Sequence, residues 1–311
     1  MQFGKYDFKC TFRKDAILPE YKGSTFRGGF GVALKKVSCT VRHGECDKCL
    51  LAQRCLYART FEISAGQQIT GRMVQPPRPY IIQPPPEDKR HYAAGDCFDF
   101  NLILFGETNE YLPYFIYAFE EMGKVGLGKK IAGRRATYTL DAVKYQQETI
   151  YQSREKLLTA DQRGIDLQLE SPGTQATAGK LELMLNTPLR LKQDNHLQAQ
   201  LPFDVLVRAM LRRISSLFEA YGDGEPQLDY RGLVAKAKKI EVCRDALHWF
   251  DWQRYSNRQE AKMLMGGMTG SIVYRGNFAE YLPLLKLSQQ LHIGKQTAFG
   301  LGQIDYRWIS A

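Results

Sequence analysis

Four cysteines crowd one short stretch of this 311-residue chain: Cys39, Cys46, Cys49 and Cys55, spaced C-x6-C-x2-C-x5-C within seventeen residues. A C-x2-C core lets one backbone turn aim two thiolates at a single ion, and the flanking pair completes a tetrahedron. Zinc suits four thiolates, and such a site is structural, because no position stays open for a substrate. An iron–sulfur cluster on the same cysteines is the other metal reading; four ordinary free thiols in a loop is the bland one. Within the cluster stands His43, which suits three roles: a ligand replacing one cysteine, a surface residue, or an acid–base group titrating near neutral pH. Cys10, Cys97 and Cys243 fall in strand-like segments and read as core residues.

The second group capable of chemistry is near the end of the chain, His292-Ile-Gly-Lys-Gln-Thr-Ala-Phe-Gly-Leu-Gly302. Gly294, Gly300 and Gly302 let the backbone approach a partner closely, and successive N–H groups in such a loop can cradle phosphate oxygens. Gln296 and Thr297 add polar side chains, Lys295 adds charge, and His292 stands at the loop's entrance as a second acid–base candidate. The loop is no dinucleotide fingerprint, because it does not open a helix after a strand. His91, His196 and His248 read as ordinary polar surface or satisfied core residues.

A similar passage occurs earlier. Gly106, Tyr111-Leu-Pro113, an apolar run and Gly123-Lys-Val-Gly-Leu-Gly128 match Gly276, Tyr281-Leu-Pro283, an apolar run and the later loop. The first markers are 170 residues apart, far more than a solenoid period, so one supersecondary unit is duplicated. Basic residues gather around these loops. Lys124, Lys129, Lys130, Arg134 and Arg135 surround the first. Arg208 and Arg212 share a helix face at i,i+4 spacing with Arg213 beside them, and Arg254, Tyr255 and Arg258 mix with amides in a loop after Trp252. Such mixtures stack on bases and grip phosphates of single-stranded or looped RNA. For any one residue the plain alternative is a solvated charged surface.

The elements that position these groups follow from periodicity. Tyr6 to Phe12 alternates as a strand, and a helix runs from a Ser24 cap towards Val37, with Phe26, Phe30, Ala33 and Leu34 at helical spacing. Thr70 to Pro86 reads as proline-limited edge strand and loop, Asp96 to Phe105 as a strand, the run after Pro113 as a helix, and Ala136 to Val143 as a strand. The second half repeats the order with strand 180–191, helix 202–220, strands 239–252 and 263–274, a helix after Pro283 and strand 302–308. The order β-α-β-β-α-β is ferredoxin-like, or RRM-like. The prediction is therefore an α+β chain: a first domain at 1–145 with a cysteine-rich, zinc-binding insert at 39–57, a polar linker at 146–178 with a helix near Tyr151 to Leu158, and a second domain at 179–311.

Composition sets the class. A formal charge of +10 and a pI near 9.2 fit a polyanionic partner. No run of about eighteen apolar residues is present to span a membrane. The opening Met-Gln-Phe-Gly-Lys-Tyr lacks an apolar signal segment, which suggests the cytoplasm, where seven cysteines stay reduced.

Residues 292–302 resemble the C-terminal glycine-rich loop of the RAMP superfamily of CRISPR-associated proteins, and more narrowly of its endoribonucleases that process precursor CRISPR RNA. Leu18-Pro-Glu-Tyr-Lys-Gly-Ser-Thr-Phe-Arg-Gly-Gly-Phe-Gly31, the four-cysteine insert with Cys55-Leu-Tyr57, and Asp251-Trp-Gln-Arg-Tyr-Ser256 are also similar to that family, so the resemblance touches both domains. It implies tandem ferredoxin-like domains and cleavage of CRISPR repeat RNA without a catalytic metal. The 2′-hydroxyl attacks, giving 2′,3′-cyclic phosphate and 5′-hydroxyl ends. His43 matches a family histidine after the first helix, His292 is the alternative, and Lys295 or Arg27 stabilises charge. Two other classes remain open: a non-catalytic RNA-binding RAMP subunit of a CRISPR effector complex, and a zinc-stabilised RNA-binding protein unrelated to CRISPR.

Overall fold

The computed structural model describes residues 1–41, 45–62, 76–159, 164–173, 178–193, 196–197, 199–256 and 261–309. The chain divides into two compact units, Met1–Leu167 and Gln168–Ala311. No helix among the described residues is long and apolar enough to cross a membrane.

In the first unit, β1 (Gln2–Phe12) is followed by α1 (Gly23–Ser38), the short α2 (Leu56–Phe61), β2 (Tyr80–Gln83), β3 (Cys97–Phe105) and α3 (Leu112–Val125). A small separate hairpin of β4 (Leu127–Ile131) and β5 (Arg134–Ala136) precedes β6 (Tyr138–Tyr145) and β7 (Glu148–Gln152). The main sheet is antiparallel in the order β2-β3-β1-β6-β7, with Phe8 opposite Phe100 and Phe12 opposite Tyr138. Alternation along β1 buries Tyr6, Phe8, Cys10 and Phe12, and helical spacing along α1 buries Phe26, Phe30, Ala33 and Leu34. The two faces meet in an aromatic core: Phe8 lies 4.9 Å from Phe119, and Phe30 stacks on Phe119 at 4.7 Å.

The second unit comprises β8 (Ala178–Leu189), α4 (Phe203–Tyr221), α5 (Tyr230–Ala237), β9 (Glu241–Ser256), β10 (Ala261–Asn277), α6 (Leu282–Leu291) and β11 (Ile304–Ile309). Its antiparallel sheet runs β9-β10-β8-β11. In both units the first long strand sits between the third and fourth of its β-α-β-β-α-β set, which is the ferredoxin-like order. A β-strand's alternation and a helix's 3.6-residue period survive tertiary packing well, so the element order matches expectation.

Local differences have local causes. α1 begins at Gly23 with Lys22 at the cap position and no side-chain cap, so Ser24 does not cap it. Lys22 is instead buried, donating to the Glu87 carbonyl. The helix expected at Tyr151–Leu158 does not form. Glu148–Gln152 pairs with β6, because Ile150 and Tyr151 bury against the first unit rather than linking it onward. The loop expected after Trp252 continues as strand to Ser256. Cys97 and Cys243 are exposed at strand positions, not core residues; Cys10 is buried.

Phe30→Ala should remove the ring shared by Phe119, Phe115 and Tyr80 and cost on the order of 3–5 kcal/mol. A lower urea midpoint is the expected readout; an unchanged midpoint would show the ring to be dispensable.

Candidate nucleic-acid interface

The glycine loop folds on its own chain. After α6, His292 takes φ 53°, Gly294 84°, Gln296 63°, Gly300 82° and Gly302 75°, five left-handed positions in eleven residues. A side chain at Gly302 would put its Cβ 1.8 Å from the Ile293 carbonyl, and one at Gly294 would lie 2.5 Å from the Arg190 carbonyl. The close partner is therefore the protein's own backbone. The N–H of Ile293 donates to Gly302 at 2.9 Å, that of Lys295 to Arg190 at 2.8 Å, and that of Gly302 to Pro188 at 3.1 Å. Thr187 adds a hydroxyl bond to the Gly300 carbonyl at 2.8 Å.

Two side chains missed as structural clamps hold the loop's entrance. Arg213, read as one of a surface arginine group, is buried, and its Nε donates to the carbonyls of Leu291 and His292, each at 3.1 Å. Burial pulls its pKa down to about 10. His292 is fully enclosed, and its Nδ1 lies 3.0 Å from the Leu301 carbonyl, so Nδ1 carries the proton. This corrects its expected place at an open mouth: a ring fixed in the interior does not present itself to a substrate. Lys295 is exposed, Thr297 is buried, and Gln296 turns its amide to within 3.9 Å of the Met265 sulfur.

The other expected contacts fall into three groups. Lys129, Lys130, Arg134 and Arg135 are all exposed on the β4–β5 hairpin. Arg208 and Arg212 are exposed on α4, with Arg208 paired to Asp204 at 3.6 Å. The backbones of Arg254 and Tyr255 pair with Met263 and Lys262 in the long β9–β10 hairpin, and Arg258 lies outside the described residues. Arg27 differs from expectation. Its guanidinium packs 4.1 Å over the Phe61 ring and beside the buried Tyr80 hydroxyl, so it belongs to the first unit's aromatic core.

The cysteines bracket two helix ends. Cys39 caps the C-terminus of α1 and Cys55 the N-terminus of α2, with Cys46 and Cys49 on a turn between them. Burial pushes the Cys46 thiol pKa up, Lys35 pulls it down, and Glu62, Cys39 and Cys55 push it up further. No group of three or more His, Cys, Asp or Glu able to hold a metal is gathered among the described residues. His43 lies outside the described residues. Beside the cysteines, Lys35, Lys36, Tyr57 and Tyr117 line a groove of about 620 Å³.

Known proteins bear on both halves. The family model AF_1859_N, an N-terminal domain, matches residues 1–163, and the model for the CRISPR-associated endoribonuclease Cas6 matches residues 183–304. An uncharacterized protein of Archaeoglobus fulgidus is 26% identical over 296 residues, 92% of this chain and 91% of its own. Among solved structures, a Thermus thermophilus Cas6 superposes with a TM-score of 0.55 at 13% identity, covering 98% of each chain. A Cas6 product complex gives 0.54 at 15%, covering 98% of this chain and 99% of that one. This likeness is one of fold, α+β with antiparallel sheets.

Gly302→Ala should strain the loop where it closes, costing on the order of 1–3 kcal/mol from the backbone angle alone. A lowered thermal midpoint for the second unit's transition is expected. Wild-type stability would show that the loop tolerates a Cβ there.

Proposed function

We propose that this chain, which belongs to the family of the AF_1859_N domain and carries a CRISPR-associated Cas6 endoribonuclease domain, cleaves CRISPR repeat RNA in precursor transcripts. The observation that carries this reading is the content of the endoribonuclease match. Residues 183–304 include the whole glycine loop, a rigid backbone with Lys295 exposed upon it.

In the proposed reaction the 2′-oxygen upstream of the scissile phosphate attacks phosphorus in line. The 2′-O–P bond forms as the P–O5′ bond breaks. A base takes the 2′-hydroxyl proton and an acid returns one to the departing 5′-oxygen. The products are a 2′,3′-cyclic phosphate and a 5′-hydroxyl, and the balance calls for no metal. We assign the proton transfer to His43, since imidazole titrates near neutral pH and His292 is enclosed. Within the second unit, the exposed Lys295 on the glycine loop is assigned a contact to RNA phosphate. The exposed hairpin cations and Arg208 and Arg212 hold the RNA backbone.

The cysteine segment is assigned a structural zinc, apart from the chemistry. Cys39 and Cys55 stand at the ends of two helices with the Cys46–Cys49 turn between them, and four thiolates at that spacing are the donor set of a structural zinc. The same proposal places the protein in the cytoplasm with repeat RNA as its partner.

The test is incubation of a labelled repeat RNA with the protein in excess EDTA, with mapping of the cut and of its 3′ end. One cut bearing a cyclic phosphate is expected, and His43→Ala should slow it on the order of a hundredfold to ten-thousandfold with little loss of binding. Tight binding with no cut would instead identify a non-catalytic RAMP subunit. Metal analysis of purified protein should find about one zinc per chain; iron with sulfide would assign a cluster, and no metal would remove the cofactor.

A further inference from the structure

The second unit's sheet has a face that the glycine loop does not explain. Its inner face is closed by helices: Leu181, Leu183, Ile272 and Tyr274 are buried there, and the Tyr274 ring meets Phe203 of α4 at 5.0 Å. On the opposite face, four directly opposed residues run across all four strands. They are Arg307 on β11, Glu182 on β8, Val273 on β10 and Arg244 on β9. Opposed residues project from the same face, so the two arginines flank one carboxylate.

Glu182 is only 4% exposed, yet both of its oxygens are occupied. Arg244 Nη2 donates to Oε1 at 2.8 Å and the Ser271 hydroxyl to the same oxygen at 2.9 Å. Arg307 donates Nε and Nη2 to Oε2 at 2.8 and 2.7 Å. The bonds from Arg307 above all, and then from Ser271, hold the Glu182 carboxyl below its usual range, so it is ionised at neutral pH. One guanidinium suffices to neutralise a buried carboxylate; the second leaves the cluster with a net positive charge. The arginine side chains remain 62% and 67% exposed while Glu182 fixes their planes. A guanidinium has five N–H donors in a flat fork, so each arginine keeps donors free for an outside acceptor. Two planar, pre-oriented forks of positive charge match the geometry of a phosphate.

We propose that Arg244 and Arg307 form a phosphate clamp for an RNA strand lying on the open sheet face, with Glu182 as the positioning residue beneath. The clamp rests on the RNA reading above and extends it to a second contact. It is seven residues along β8 from Leu189, which the glycine loop touches, or roughly 23 Å at strand rise. The two contacts therefore belong to different nucleotides, and the clamp sets the path of the strand away from the cut.

The experiment measures binding of single-stranded CRISPR repeat RNA across a salt series. It compares the wild type with the triple substitution Glu182→Gln, Arg244→Gln, Arg307→Gln, which keeps hydrogen-bonding amides while removing the net charge. A lost phosphate contact on a single strand flattens the log K against log salt line by about 0.7, so the triple variant should lose 0.7 to about 1.4 of slope and bind about tenfold more weakly at low salt. Arg307→Ala, which leaves Glu182 paired with Arg244 and Ser271, should lose about 0.7 even if the triple variant folds poorly. Unchanged affinity and slope in a wild-type background that binds RNA tightly would overturn the clamp alone. Weaker binding at unchanged slope would overturn its assignment to phosphate. A wild type that binds no repeat RNA would overturn the clamp together with the reading beneath it.

Discussion

The last carbonyls of a helix have no partner within it, and at the end of α6 they point into the protein rather than to water. Arg213 answers that constraint from α4: a single Nε serves the carbonyls of both Leu291 and His292. Desolvating a guanidinium is costly, and here the cost is visible in a pKa pulled down to about 10. The burial secures the direction in which the chain leaves α6. From there His292 turns left-handed, its Nδ1 reaches the Leu301 carbonyl, and Gly302 closes on Ile293. Lys295 is exposed on this chain of internal bonds, its own N–H donating to Arg190.

The duplicated Tyr-Leu-Pro-to-glycine passages show the same constraint met by different partners. In the first unit, α3 ends at Gly126 with φ 88°, where a Cβ would lie 2.7 Å from the Ala136 carbonyl, and Gly128 at φ 81° would meet Ile17 at 2.4 Å. Both loops thus need glycine because backbone passes backbone, a need that L side chains meet poorly at positive φ. The loops part company in the strands they feed. The second leads to an edge strand of its own sheet, whereas the first opens into a detached hairpin. The second loop is bonded within its own unit, and the first opens into a basic two-stranded hairpin.

The fold was legible in the sequence because it rests on period. Alternation in β1 and the i, i+4, i+7, i+8 row in α1 are written in residues that end up buried. β7 was not legible: Glu148 to Gln152 is mostly polar, and only pairing with β6 makes it a strand. The site was legible in part. The loop's glycines announce themselves, but no local signal says that His292 turns inward, since that depends on a bond to Leu301 nine residues away. Arg27 looked like a surface cation because sequence does not show that Phe61 lies beneath it. The Glu182 cluster is least visible of all, as its arginines are 62 and 125 residues distant and meet only through strand register.

Net charge alone overstates the cationic surface. Lys9 with Asp99, Lys36 and Lys124 with Glu121, Lys236 with Glu280, Arg275 with Glu241 and Lys286 with Glu170 are local pairs whose fields largely cancel a few ångströms away. Each such exposed pair adds little stability, and none attracts a distant anion strongly. The hairpin is different: residues 127–136 contain four exposed cations and no acidic residue, and no ion pair is found for them among the described residues. Uncancelled charge on a narrow two-stranded arm projects further than the same charge dispersed over a sheet, within the roughly 8 Å screening length of physiological salt. The hairpin therefore carries the uncancelled charge of the first unit, while the glycine loop's geometry is set by bonds within its own backbone.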